Sequence, residues 1–405
     1  MSYYVKNPGG RVTEVEDEEQ FNKWIAQGFT IPSEAEVEIF KKSLIDIYNE
    51  EQKRIAREEG NKGPEGIYLA TVSTGQKNGY STSAHYMLKE LQELNVPISL
   101  EYTGQKVAFL YHMPYSVAHL ESPIKIVMTM FDSDKIPDEW VEYLRLADKV
   151  IVPSRWCQNV FKASGIETVV VPLGYDETKF KFIERQRKPD DVFTFIHYDA
   201  FNLRKGFVET FKAFCNEFST DEPVRMIFKT VREPAPLQLP PSQYPNIDVV
   251  TGPMSDGQLN QLLGESDCMV FPSRGEGFGL TPVEAMATGI PAIVPNAHGI
   301  SEYFNPEFMY EVAVEGKTPA VYGPQFKNMD TGNMVMCSVE DLQKKMRYVY
   351  EHKEEAKAKG IAASFYIKEW TYKKTAEKLK KILDEALAMQ PEKKPIHKVL
   401  PMTKV

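Results

Sequence analysis

Twice along this chain, short apolar runs alternate with stretches of helical spacing, and that alternation restricts the fold more than any other feature. The first series predicts strands at 67–73, 106–111, 124–131, 149–152 and 168–171, with helices at 81–94, 138–147 and 156–163 between them. The second predicts strands at 193–197, 224–228, 248–250, 268–271 and 292–294, with helices starting at Phe207, Gly257 and Pro282. Runs of four to eight apolar residues separated by helix-length amphipathic segments build parallel sheets wrapped by helices. The expected class is therefore α/β.

The two series are separated by Arg185-Gln-Arg-Lys-Pro-Asp-Asp191, a polar, proline-bearing linker. With 405 residues the chain is long enough for two or three domains with sizeable cores. The expected division is an N-terminal α+β extension at 1–62, a first Rossmann-like domain at 63–184, a second at 191–365 and a tail at 390–405. Residues 370–389 repeat apolar side chains at Tyr372, Ala376, Leu379, Leu383 and Leu387, an amphipathic helix that would complete the first domain. In the extension, residues 3–15 read as a hairpin turning at Asn-Pro-Gly-Gly, and 18–27 as a short helix stopped by Gly28. A longer helix should open at Ser33, where Ser33 and Glu36 form a capping-box pattern ahead of Val37, Phe40, Leu44, Ile47 and Tyr48.

The chemistry concentrates in Arg274-Gly-Glu-Gly-Phe-Gly-Leu-Thr-Pro-Val-Glu284. An apolar run, residues 267–273, precedes it, and Ala285-Met-Ala-Thr-Gly-Ile-Pro291 reads as a helix and its stop. A glycine turn between strand and helix aims backbone N–H groups and the positive end of a helix dipole at one spot, which favours a phosphate. Glu276 and Glu284, on either side, would hold hydroxyl groups attached to that phosphate, the outline of a sugar nucleotide. A plainer alternative is open for Glu284: Thr281-Pro-Val-Glu284 is itself a helix-start signature, with Thr at the cap and Glu three residues on.

This segment resembles the E-x7-E motif of the retaining glycosyltransferases with a GT-B fold, the large group that includes sucrose and mannosyl transferases. The likeness covers residues 267–304 nearly end to end and extends more weakly from 67 to 387. It implies two Rossmann-like domains facing across a cleft. The second domain would bind a nucleoside-diphosphate sugar, and the first would present an acceptor hydroxyl. It also implies that Glu276 faces the donor sugar, that Glu284 holds the ribose hydroxyls, and that Gly277, Phe278, Gly279, Leu280 and Thr281 form the diphosphate turn. Arg204 and Lys205, in Arg-Lys-Gly206, would neutralise the departing diphosphate. The group's usual Arg lies several residues earlier, where this chain has Tyr198-Asp-Ala200, so Lys229 competes with Arg204 for the second positive charge. The glycine loop Thr74-Gly-Gln-Lys-Asn-Gly-Tyr-Ser81, with Asn78, Gly79 and Tyr80, resembles the loop over the donor phosphate. Asp132 matches an acid at a cleft-facing position.

Other residues have ordinary explanations beside functional ones. His112 and His119 follow a strand, where a general base would sit and where structural histidines are common. His298 stands where the group usually has glycine. Asp132-Ser-Asp134 also has the pattern by which a different glycosyltransferase fold holds a metal, although the donor signature lies far downstream; the expectation is no metal and no cofactor beyond the donor substrate.

The formal charge of -9 weighs against a nucleic-acid partner. The first thirty residues resemble N-terminal segments of some tailed-phage proteins, which opens a second acceptor class, a hydroxymethylated base in viral DNA. A glycan, lipid-linked or small-molecule acceptor is favoured over it. A sugar-nucleotide epimerase and a non-catalytic sugar-binding protein are also compatible with these motifs. No apolar run reaches membrane-span length and no secretory signal opens the sequence. Four cysteines without metal-ligand spacing read as reduced thiols, and the expected location is the cytoplasm.

Overall fold

The computed structural model describes residues 3–6, 12–15, 18–26, 30–33, 35–37, 66–71, 79–186, 191–231, 244–323 and 326–390. In the extension, β1 (Tyr3–Lys6) pairs antiparallel with β2 (Val12–Val15), followed by α1 (Glu18–Ala26). The capping box forms: the Ser33 amide donates to Glu36 Oε2 at 2.9 Å, and the Glu36 amide donates to Ser33 Oγ at 3.3 Å. The hairpin turn, Gly28, the helix beyond Val37, Asn78, most of the linker and the tail lie outside the described residues.

The first domain is a six-stranded, all-parallel sheet. Its strands are β3 (Ile67–Thr71), β4 (Ile98–Ser99), β5 (Val107–Tyr111), β6 (Ile124–Met128), β7 (Lys149–Val152) and β8 (Val169–Val170), in the order β4-β3-β5-β6-β7-β8. Strands covered by helices on both faces are apolar throughout, which is why 107–111 is buried at every position. On one face Ile67, Leu69, Phe109 and Tyr111 pack against α2 (Gly79–Glu93) and, from the far end of the chain, α10 (Tyr372–Ala388). Tyr372, Ala376, Leu379 and Leu383 are buried there, and Thr375 Oγ1 donates to the Pro172 carbonyl at 2.8 Å. On the other face Ala70, Leu110 and Val127 meet α3 (Asp138–Leu144) and α4 (Arg155–Ala163).

The second domain repeats the plan. Its strands β9 (Phe193–Tyr198), β10 (Val224–Lys229), β11 (Ile247–Val250), β12 (Cys268–Val270), β13 (Ala292–Val294) and β14 (Tyr310–Glu311) are all parallel, in the order β11-β10-β9-β12-β13-β14. Helices α5 (Phe207–Glu217), α6 (Asp256–Gly264), α7 (Leu280–Ala287), α8 (Val339–Glu351) and α9 (Lys353–Tyr366) flank them.

Several elements escaped the sequence reading: β4, β14, α8, α9 and one hairpin that matters most for the site. Between β14 and α8 the chain makes an antiparallel hairpin, β15 (Val314–Pro319) with β16 (Asn333–Cys337). Its tip leaves the second domain and inserts Phe326 and Tyr322 among Phe131 and Trp140 of the first, with ring centroids 5.0 to 6.3 Å apart. Ser133 Oγ donates to the Thr331 carbonyl at 2.5 Å, and Asp134 pairs with Lys317 at 2.8 Å and accepts the Asn333 amide at 2.6 Å. The run 314–319 has a single large apolar residue, Val314, and carries a glycine and a proline, so it gives no strand signal.

Candidate functional site

The site sits where the C-terminal edges of the two sheets meet. From the second domain come the turn after β9 and the turn after β12. Gly206, at φ 78°, ends a short helical turn over 203–205 that Asn202 caps through Oδ1. This turn fixes Arg204 and Lys205 directly opposite the 273–279 loop. Glu276 is 6% exposed and takes three donors: Arg204 Nη1 at 2.9 Å, Lys205 Nζ at 2.9 Å and Ser273 Oγ at 2.7 Å. Burial opposes its charge, but the two cations win and hold the Glu276 pKa down at about 2. Arg204 also donates to the Gly275 carbonyl at 2.5 Å. Lys205 pairs with Asp199 at 2.9 Å, and Asp199 accepts from Thr281 Oγ1 at 2.9 Å.

The first domain enters through Asp132, which accepts the Gly277 amide at 2.9 Å and lies 3.4 Å from Arg204 Nη1. Burial raises the Asp132 pKa; the Arg204 charge works against that and the Glu276 carboxylate adds to it. Ser154 Oγ, which also caps α4, donates to the Gly277 carbonyl at 2.8 Å. The two domains are thus in hydrogen-bonding contact at the glycine turn. Gly275 has no room for a side chain: a Cβ there would collide with the Asp132 carbonyl.

The helix start after this turn differs from the sequence expectation. Gly279, at φ 91°, is the cap residue, α7 begins at Leu280, and no side chain caps it. Glycine's freedom in the left-handed region lets the helix begin before Thr281. Thr281 therefore spends its hydroxyl on Asp199, and the reading of Glu284 as the partner in a capping box with Thr281 is overturned. Tyr303 OH holds the Gly279 carbonyl at 2.7 Å. The amides of Gly279, Leu280 and Thr281 open the helix at its positive end.

Glu284 lies one turn further on and accepts from Tyr198 OH at 3.1 Å. Burial lifts its pKa to about 7, opposed by nearby Lys179 and by the Tyr198 hydrogen bond. Tyr198 and Asp199, in the position where an Arg was expected, thus tie Glu284, Thr281 and Lys205 together. Tyr198 ends β9 and Asp199 follows it at the C-terminal edge of the sheet, the one signal by which sequence could have found them.

The remaining sequence candidates separate. Phe278 is buried in the core and packs on Tyr303. Lys229 does not join the cluster; its ammonium donates to the carbonyls of Thr230 at 2.9 Å and Gly252 at 2.6 Å. Gly79 opens α2. Tyr80 packs on Tyr111 and, at 5.7 Å, on His112, and the Asp132 charge adds to burial in raising its pKa. His112 lines a separate first-domain cavity with His119. His298 has φ 42° and donates from Nε2 to the Ser273 carbonyl at 2.9 Å, leaving Nδ1 buried and unpartnered among the described residues. Burial pushes its pKa down to about 4, so the ring is neutral. The Asp-Ser-Asp residues diverge: Asp132 turns to Arg204 and Gly277, Asp134 to Lys317 and Asn333. Among the described residues no group of three or more His, Cys, Asp or Glu is placed to hold a metal.

Two parallel sheets meeting edge to edge, with charged turns at the junction, define the class as GT-B. The HepE protein of Anabaena, solved with UDP and glucose, superposes with a TM-score of 0.56 at 12% identity over 79% of this chain and 99% of that one. Residues 178–365, the second domain, match the family model of the group 1 glycosyl transferases. A sulfoquinovosyl transferase of Arabidopsis thaliana is 27% identical over 38% of this chain and 27% of its own length. The uncharacterized protein 356 of Sulfolobus islandicus rod-shaped virus 1 is 21% identical over 63% of this chain and 74% of its own.

Proposed function

We propose that the protein is a retaining, metal-independent glycosyltransferase that moves a sugar from a nucleoside-diphosphate sugar to an acceptor hydroxyl. The observation that carries this reading is the Arg204–Lys205–Glu276 cluster beside the uncapped start of α7. The diphosphate lies against the amides of Gly279, Leu280 and Thr281 and draws Arg204 and Lys205 from their carboxylate partners. Glu276, relieved of one or both cations, faces the sugar, and Glu284 accepts from the ribose hydroxyls. The bond between the anomeric carbon and the diphosphate oxygen breaks, with its electron pair leaving on that oxygen. The acceptor oxygen bonds to the same face of the carbon, and its proton passes to the departing diphosphate. Negative charge grows on the leaving group during this step, so fixed cations in a water-excluded site lower its barrier. Asp132 lies on the opposite wall, where a carboxylate favours the positive charge that develops on the sugar.

Several features support the finer parts of this reading. The HepE complex holds a nucleoside diphosphate with a sugar. Four free thiols suit a reducing compartment, and we place the protein in the cytoplasm. Among the described residues no helix is long and apolar enough to cross a membrane.

The test is Lys205→Ala, assayed for donor turnover with the sugar nucleotide that most raises the melting temperature of the wild-type chain. Loss of one preorganised positive group should cut kcat by roughly 10²- to 10³-fold. Undiminished turnover in Lys205→Ala rejects the assignment, and conversion of donor alone to an isomer replaces transfer by epimerisation.

A further inference from the structure

A second concavity, of about 410 Å³, lies in the first domain, outside the charged cluster. Buried Ala70 and Leu110 form its floor, and Tyr68 and Tyr102 form an aromatic wall with ring centroids 5.5 Å apart and planes tilted by 57°. Its rim carries hydroxyl and imidazole groups from Thr71, Ser116, His112 and His119. Glu121 adds one carboxylate, and none of the described lining residues is Lys or Arg. From Tyr68 to Thr71 the groove follows β3 for roughly 10 Å, toward the edge of the sheet where Asp132 stands. His112 marks that end. Its ring contacts Tyr80, which in turn feels the Asp132 charge.

We infer that this groove binds the acceptor, and that the acceptor is a neutral glycan rather than a nucleic acid or a phosphorylated lipid. The inference rests on the transferase reading above and names the substrate class of its first-domain side. An elongated site with an aromatic wall and a few directional polar groups suits a chain of sugar rings, whose apolar faces lie on tyrosine and whose hydroxyls reach Thr71, Ser116 and the imidazoles. Binding a phosphate backbone requires Lys and Arg along the track. Here the track is neutral to acidic, and burial lowers the His112 pKa, so that ring does not supply the missing charge at neutral pH.

Two variants test this without touching the donor machinery. Tyr102→Ala removes half of the aromatic wall from a loop, and Ser116→Trp fills the groove from an exposed position. The probes are an array of neutral oligosaccharides, a duplex containing 5-hydroxymethylcytosine, and vesicles bearing polyprenyl phosphate. The wild-type chain should bind at least one neutral oligosaccharide class. Tyr102→Ala should weaken that binding by about tenfold or more, and Ser116→Trp should abolish it. Donor hydrolysis and melting temperature should stay at wild-type levels in both. Failure of the transferase reading would appear separately, as wild-type protein without donor turnover. The inference is overturned if the duplex or the vesicles bind in preference, if no neutral oligosaccharide binds, or if both variants keep full glycan affinity.

Discussion

The two halves of the molecule share one architecture and differ in what they place at the meeting edge. The second sheet presents Arg204, Lys205, Asp199, Glu276 and Glu284, locked into mutual ion pairs and hydrogen bonds. The first presents Asp132, neutral aromatic rings and imidazoles. A diphosphate imposes the same demands wherever it binds: oriented amides, a helix start and cations. Those demands fix residue types at fixed spacings. An acceptor hydroxyl imposes almost none, so the first domain carries no comparable signature. On the proposed reading, the same physics that makes the donor side legible in sequence leaves the acceptor side mute.

The sharpest way to break this division is at the hairpin that crosses it. Phe326 belongs to the second domain in sequence, yet it is 8% exposed and packs on Phe131 and Trp140 of the first. Phe326→Ala should lower unfolding free energy by roughly 3–5 kcal/mol, the cost of emptying an aromatic site in a core. Hydrogen exchange should locate the loss in α3 and the segment after β6, in the first domain, as well as in the hairpin. A loss under about 1 kcal/mol, or one confined to the second domain, would mean that the hairpin merely touches its neighbour and the two halves are energetically independent.

Sequence patterning marked most strands of both sheets, the helices that alternate with them and the return of the last helix, because buried parallel strands are apolar runs and their helices are amphipathic; α8 and α9, which follow the last strand of the second sheet, were not predicted. Patterning also missed β4 and β14, each two residues long, and the 314–337 hairpin, whose first strand is buried at no position and holds a glycine and a proline. In the site, Lys205, Arg204, Glu276 and Glu284 were all placed in one region, whereas Asp199, Tyr198 and Ser273 went unnoticed. These three act by orienting others, and a hydrogen bond between residues 86 apart, such as that from Tyr198 to Glu284, leaves no trace in local spacing. Lys229 illustrates the converse: a cation at a strand end looks available until its carbonyl partners are known.

A smaller effect sharpens the contrast on the donor side. Glu284 keeps its proton up to about pH 7 in the folded chain, against an ordinary value of 4.5. Below 4.5 both states hold the proton and the residue costs nothing. As pH rises toward 7 the unfolded chain ionises first, so stability falls, and above 7 the cost is complete. Glu284→Gln should flatten this part of the stability profile. The ionised form is the better acceptor for two ribose hydroxyls, so wild-type affinity for the donor should rise several-fold as pH passes through 7. Glu284→Gln should bind weakly at every pH. Calorimetric titration at pH 6 and pH 8 decides it; an affinity that falls with pH, or a wild-type slope retained in the variant, would detach Glu284 from the ribose.

The smallest effect belongs to Lys229, and it separates two ways of charging the proposed donor site. Its ammonium is occupied by the Thr230 and Gly252 carbonyls, and burial lowers its pKa, so it acts as a brace between the end of β10 and the turn after β11 rather than as a counter-charge. Lys229→Met keeps the aliphatic stem and removes two hydrogen bonds to backbone, which predicts a stability loss of about 1–3 kcal/mol. Donor affinity and kcat should stay within about threefold, since Arg204 and Lys205 already face Glu276 and the start of α7. The informative comparison is with Lys205→Ala in the same assay. Matching losses of turnover would mean that the ammonium of Lys229 leaves its carbonyls when the diphosphate arrives, and that the charge of the donor site is shared by three cations instead of two.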